Sequence, residues 1–151
     1  DLPHDFGDVS LQVLDAADVM VLMLAPEMGS VRAASAALTT YGKLGYRDEK
    51  IRLVMNWIFE RKGLAQSAVE DALRFPISLV LPFAPDTFVS AINLGRPLLL
   101  HEPEGQISAL IEDFSFGQSR ERHRTVPPAA PSPAWQRVNK RLLAFRKAKR
   151  K

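Results

Sequence analysis

Three short, strongly apolar runs, at residues 19–24, 51–55 and 77–81, broken only by Arg52 and Ser78, are separated from one another by stretches long enough to hold a helix. A strand buried on both faces reads as a continuous hydrophobic run rather than an alternating one, and parallel strands need a long crossover, usually helical, to return over the sheet. The intervening segments supply it. Val9, Val13, Leu14 and Ala17 fall at helical spacing, and residues 31–44 are rich in Ala and Leu between a candidate N-cap, Ser30, and a C-terminal stop, Gly45. Further helices are predicted at 64–75, at 87–94 before Gly95, and at 107–114. Strands alternating with helices in this way predict an α/β fold with an open, doubly wound, mainly parallel sheet.

At 151 residues, 46% hydrophobic and 25% charged, the chain matches one globular domain with a short appendage. Its longest apolar run is strand-sized and ends at Pro26, too short to span a bilayer. With no cysteine, disulfides and thiolate metal sites are excluded, and His4, His101 and His123 are too scattered to suggest a metal cluster. A reducing cytoplasm is the expected location. The chain opens at Asp1 with neither an initiator Met nor a secretion signal, and reads as the C-terminal piece of something longer.

The formal net charge of +3 conceals a division, because residues 134–151 hold eight Lys/Arg and no Asp/Glu, leaving twelve basic against seventeen acidic residues elsewhere. An acidic body therefore carries a basic tail, which is a different object from a uniformly basic nucleic-acid-binding fold. The organisation expected is a folded part at 1–116, a charged and Pro-rich linker at 117–133 with four prolines between 126 and 133, and a basic amphipathic helix at 134–151.

Open parallel sheets bind ligands at the carboxyl ends of their strands. Four places qualify: Asp1-Leu2-Pro3-His4, Pro26-Glu27-Met28-Gly29-Ser30, Asn56-Trp57, and Pro82-Phe83-Ala84-Pro85-Asp86. A carboxylate there can hold hydrated Mg²⁺, and a side-chain amide can pair with a purine edge. Taken singly, each has a structural reading as a cap, a turn former or a strand terminator.

In order and spacing, Asp1-Leu2-Pro3-His4, Asp18 before an apolar strand, Pro26-Glu27-x-x-Ser30-Val31-Arg32, Leu53-Val54-Met55-Asn56, Leu81-Pro82 and Ala91-Ile92-Asn93-Leu94-Gly95-Arg96-Pro97-Leu98 together resemble the second half of the MinD/ParA family of deviant P-loop ATPases. The likeness covers about residues 1–114, and its first and third segments look most like the CpaE/TadZ branch associated with Flp/Tad pili. The resemblance implies that Asp1 is the catalytic carboxylate, supporting Mg²⁺ and the attacking water, and that Pro3 lies in the switch. It further implies that Asn56 recognises adenine, that Pro82 lies beside the base, and that Glu27 stands near a homodimer interface. The cofactors implied are ATP and Mg²⁺, and the function implied is an ATP-dependent dimerisation and positioning switch in pilus assembly; the alternative is a non-hydrolysing localisation scaffold of the same fold. Trp57 stands where the family usually has Arg, and Asp86 is further from Pro82 than the family's Pro-x-Asp spacing. No Gly-x-x-x-x-Gly-Lys-Ser/Thr loop is present, and Gly42-Lys43 falls inside a predicted helix, so this chain alone is expected not to hydrolyse ATP. A parallel sheet without its first strands is also expected to expose an apolar edge.

The resemblance stops before the tail. On a helix, Trp135, Val138, Leu142 and Phe145 share one arc while Arg137, Lys140 and Lys147 oppose it. Trp135, Lys140, Arg141, Leu142 and Phe145 are the expected contacts to an anionic membrane at the inner face of the cell, with non-specific DNA binding the weaker alternative.

Overall fold

The computed structural model describes residue 2 and residues 5–149. Its elements, in chain order, are α1 (Asp8–Ala16), β1 (Met20–Leu24), α2 (Met28–Lys43), β2 (Ile51–Asn56), α3 (Gln66–Leu73), β3 (Ile77–Leu81), α4 (Pro85–Asn93), α5 (Leu98–His101), α6 (Gln106–Gln118), α7 (Glu121–Thr125) and α8 (Pro133–Ala148). The fold is α/β, with β1, β2 and β3 side by side in that order in one sheet. β1 and β2 run parallel, in register from Met20 opposite Ile51 to Leu24 opposite Met55.

Every expected strand and helix forms, with differences in detail, and a short helix, α5, adds to those expected. Helix α2 starts earlier than Ser30, because Glu27 is its N-cap and its carboxylate accepts from the amides of Gly29 at 3.2 Å and Ser30 at 2.8 Å. Ser30 is occupied otherwise: its hydroxyl accepts from the Ala25 amide at 2.8 Å and so holds the turn that joins β1 to α2. The stretch expected as linker contains a short helix, α7, before the prolines. The glycine stops behave as anticipated, Gly45 at φ 81° and Gly95 at φ 60°.

Chain contacts divide the protein into Asp1–Val80 and Leu81–Lys151. In the first unit, Leu24, Leu53 and Met55 from the strands meet Val31 and Ala34 of α2 and Val69 of α3. A second cluster joins Leu14 of α1 to Met20 and Ile51. β2 is shielded on both faces, as its largely apolar sequence requires, but Val21 and Met23 of β1 are 51% and 54% exposed. One face of β1 is therefore open apolar surface.

In the second unit, α8 docks on α6. The Glu112 side chain on α6 is only 3% exposed, and Arg137 and Arg141, one turn apart on α8, both reach it. Arg137 donates through Nε at 3.1 Å and through a still closer Nη2 contact, and Arg141 spans Glu112 at 2.9 Å and Asp113 at 2.8 Å. Burial alone would raise the Glu112 pKa, but the hydrogen bonds and charges of the two guanidinium groups outweigh it and hold the carboxyl below its ordinary value.

Candidate functional site

Asn56 is the last residue of β2 and is half-buried at the carboxyl end of the strand. The strand ends around it are tied together through the loops that follow. Pro26 is fully buried after β1, and its carbonyl accepts from the Leu64 amide at 2.8 Å, which joins the β1–α2 loop to the β2–α3 loop. Trp57, directly after Asn56, packs against the core formed by Leu24, Leu53 and Met55. The loop turns through Lys62, at φ 69°, and brings Gly63 under the indole: a Cβ at Gly63 would stand 2.6 Å from Trp57 Cζ3 and 2.9 Å from Pro26 Cγ. Trp57 thus has a local structural reason to be aromatic. It fixes the backbone that presents Asn56, and only glycine fits beneath it.

Glu27 stands on the same rim as the cap of α2, an exposed carboxylate at a helix N-terminus, where a negative charge is favourable. Asp1 and Pro3, expected to carry catalysis, Mg²⁺ and the switch, lie outside the described residues.

In the second unit, Pro82 follows β3 and, with Phe83, Ala84 and Thr87, forms one wall of a cavity of about 200 Å³. Leu98, Glu102 and the first turn of α6 form the rest. Asp86, too far from Pro82 for the family's spacing, sits in the first turn of α4, where it offsets the helix dipole.

The tail residues separate into two groups. Arg141 is committed to Asp113 and Glu112, Val138 is buried, and Trp135 is half-buried with its indole N–H enclosed and without an acceptor. Lys140 is exposed, as are Leu142 at 36% and Phe145 at 61%. Arg137, expected on the solvated cationic side, faces α6 instead. Sequence reasoning missed Glu112 as the partner of Arg137 and of Arg141, and Asp113 as a partner of Arg141; the available signal was an acidic pair on one helix and two arginines at i, i+4 on another.

No protein-family model and no curated protein matches this chain. Solved structures do. The ParA family ATPase from Chlorobium tepidum TLS superposes with a TM-score of 0.63 at 20% identity, over 75% of this chain and 46% of that one. The MinD cell division protein of Aquifex aeolicus gives 0.56 at 23% identity, over 69% and 46%. The MinC:MinD cell division protein complex of the same organism gives 0.59 at 21% identity, over 78% and 48%. The fold is MinD/ParA-like. This chain spans about half the length of those solved chains. Within the MinD/ParA-like fold, Asn56 closes β2, the strand between the other two, and Pro82 follows β3 immediately.

Proposed function

We propose that this chain is the C-terminal part of an ATP-binding protein of the MinD/ParA type, acting as an ATP-dependent dimerisation and positioning switch in the assembly of Flp/Tad pili. The observation that carries the reading is the placement of Asn56: a half-buried amide at the carboxyl end of β2, on backbone held by Trp57, Gly63 and Pro26, in a fold similar to ParA and MinD ATPases. An amide there has both a donor and an acceptor for the edge of adenine. Pro82, directly after β3, offers an apolar surface of the kind that packs beside a base. The residues present suit the base, not the phosphates, since no glycine-rich cradle occurs in the sequence. Mg²⁺, when bound with ATP, would supply charge neutralisation at the phosphates, and Asp1 is assigned to hold it through water.

In this reading, Glu27 caps α2 on a surface that meets a second copy of the protein, and the exposed Lys140, Leu142 and Phe145 of α8 touch an anionic membrane at the inner face of the cell, while Arg141 and Trp135 serve as the docked side of that helix. The deciding experiment is nucleotide binding by the full-length protein that carries this chain, measured by calorimetry with ATP and GTP. Tight ATP binding that weakens selectively in Asn56→Ala supports the proposal. Binding without measurable turnover reassigns the protein to a non-hydrolysing localisation scaffold, and absence of nucleotide binding overturns both.

A further inference from the structure

Helix α4 is apolar on the side that the fold leaves open. Its inner side holds buried Ala91 with half-buried Thr87, Phe88 and Ser90, whereas Pro85, Asp86, Val89, Ile92 and Asn93 are exposed. On a helix these five fall within an arc of about 120°, with Val89 at its centre. Solvated helix faces are ordinarily polar, yet Val89 is 52% exposed and Ile92 74%, the most open of the large apolar side chains among the described residues. Charge is depleted here as well. A quarter of the chain is charged, but residues 82–95 hold one charged residue, Asp86. Open apolar side chains on a surface poor in charge mark the core of a protein–protein contact.

The polar members of the face determine which surface fits it. Asp86 is three residues before Val89 and Asn93 four after, on one flank; Pro85 is four before and Ile92 three after, on the other. Among the described residues, no other side chain engages the Asp86 carboxylate or the Asn93 amide. When two copies of a helix pair antiparallel about a two-fold axis, each flank meets the same flank of the other copy in reverse. With the axis at Val89, the Asn93 amide of each copy donates to the Asp86 carboxylate of the other, Ile92 packs on Pro85, and the two Val89 side chains meet at the centre. Each of these pairings then occurs twice except the central one. A parallel pairing, or an antiparallel one displaced by a turn towards the helix start, sets Asp86 against Asp86. The carboxylate therefore fixes both direction and register.

We propose that the outer face of α4 is a self-association surface, which joins two copies of the chain as antiparallel helices about Val89. A helix of nine residues buries little area, so the dimer is a weak one, with a dissociation constant of roughly tens to hundreds of micromolar. It needs no nucleotide and is separate from the dimer contact assigned to Glu27, which belongs to the first unit.

Sedimentation equilibrium of the whole chain and of the full-length protein, both without nucleotide, tests the proposal. A reversible dimer is expected in each. Ile92→Lys should weaken it roughly tenfold or more, because a charge then faces an apolar contact. Asn93→Asp should weaken it by a similar factor, because two pairs of carboxylates are brought together. Adding Asp86→Asn to that variant should restore the dimer, since each acid again meets an amide. All three positions are exposed, so circular dichroism should remain that of the parent. Met23→Glu, on the open face of β1, should leave the dimer unchanged. A chain that stays monomeric at about 1 mM would overturn the proposal. So would a dimer indifferent to Ile92→Lys, a double variant no better than Asn93→Asp, loss of the dimer in Met23→Glu, or a full-length protein that is monomeric where the chain pairs. None of these outcomes bears on nucleotide binding by the full-length protein, so the two readings fail separately.

Discussion

Replacing Glu112 by Gln removes the charge that holds α8 on α6 while preserving the shape of the side chain. The carboxylate is 3% exposed and receives donors from Arg137 and Arg141, which are themselves 18% and 31% exposed. Removing one member of a buried ion pair costs about 3–5 kcal/mol when the remaining charge is trapped. Both guanidinium groups reach water, and Arg141 keeps Asp113 at 2.8 Å, so the loss expected here is lower, about 2–3 kcal/mol, the range of hydrogen bonds to charged groups. Trp57 and Trp135 are the protein's two tryptophans, one in each unit, so a Trp57→Phe background makes urea unfolding followed by fluorescence a report on α8 alone. The difference in stability between the parent chain and the Glu112→Gln variant should also depend on pH with a definite sign. Because the folded carboxyl is held below its ordinary value, its contribution is complete above the unfolded pKa of about 4.3 and disappears as pH falls through the lower folded value. A Gln substitution costing under about 0.5 kcal/mol at neutral pH, the range of an ordinary surface change, or costing as much in strong acid as at neutrality, would refute the reasoning.

Asn56→Ala in the full-length protein should weaken ATP binding by about 1–3 kcal/mol and reduce its preference over GTP, measured by calorimetry. Asp1→Asn should reduce ATP turnover far more than ATP affinity, and an equal loss of both would point to a folding defect. Gly63→Ala should destabilise the first unit by about 1–3 kcal/mol in urea unfolding followed by circular dichroism, because the added Cβ would meet Trp57 at 2.6 Å; an unchanged midpoint would show that the indole yields at no cost. Phe145→Glu, at a position 61% exposed, should abolish co-sedimentation with anionic liposomes and leave the fold intact, whereas Arg141→Gln should lower stability before it alters binding; liposome binding unchanged in Phe145→Glu would remove the membrane role of α8.

The α/β class, the parallel order of strands and most helix positions were legible in the chain because each rests on local, repeated signals. A strand covered on both faces must be apolar almost throughout, as 51–55 is apart from Arg52, and a helix that ends at Gly45 or Gly95 announces its stop by the residue that most readily tolerates a left-handed backbone. Asn56 and Pro82 could be singled out for the same reason, since the end of a strand is read directly from the end of its apolar run. What a one-dimensional pattern does not contain is which of two neighbouring residues receives a local task. Ser30 and Glu27 both suit a helix start, and only the backbone of the turn decides that the carboxylate caps α2 while the hydroxyl takes the Ala25 amide.

The tail shows the division most clearly. Amphipathic spacing and a run of cations determined that residues after 133 form a helix with an apolar arc, and the same pattern serves equally for a membrane, a polyanion or another helix. Tertiary structure decided that Arg137 and Arg141 belong to Glu112 and Asp113, residues more than twenty positions earlier in the chain. The burial of Ser108 was equally invisible, because a serine in a helix looks solvated until other segments pack over it. Periodicity and turn chemistry act between near neighbours and are written in the sequence, whereas burial and charge pairing depend on which distant segments meet, and a buried charge or hydroxyl acquires its partner, or its lack of one, only when they do.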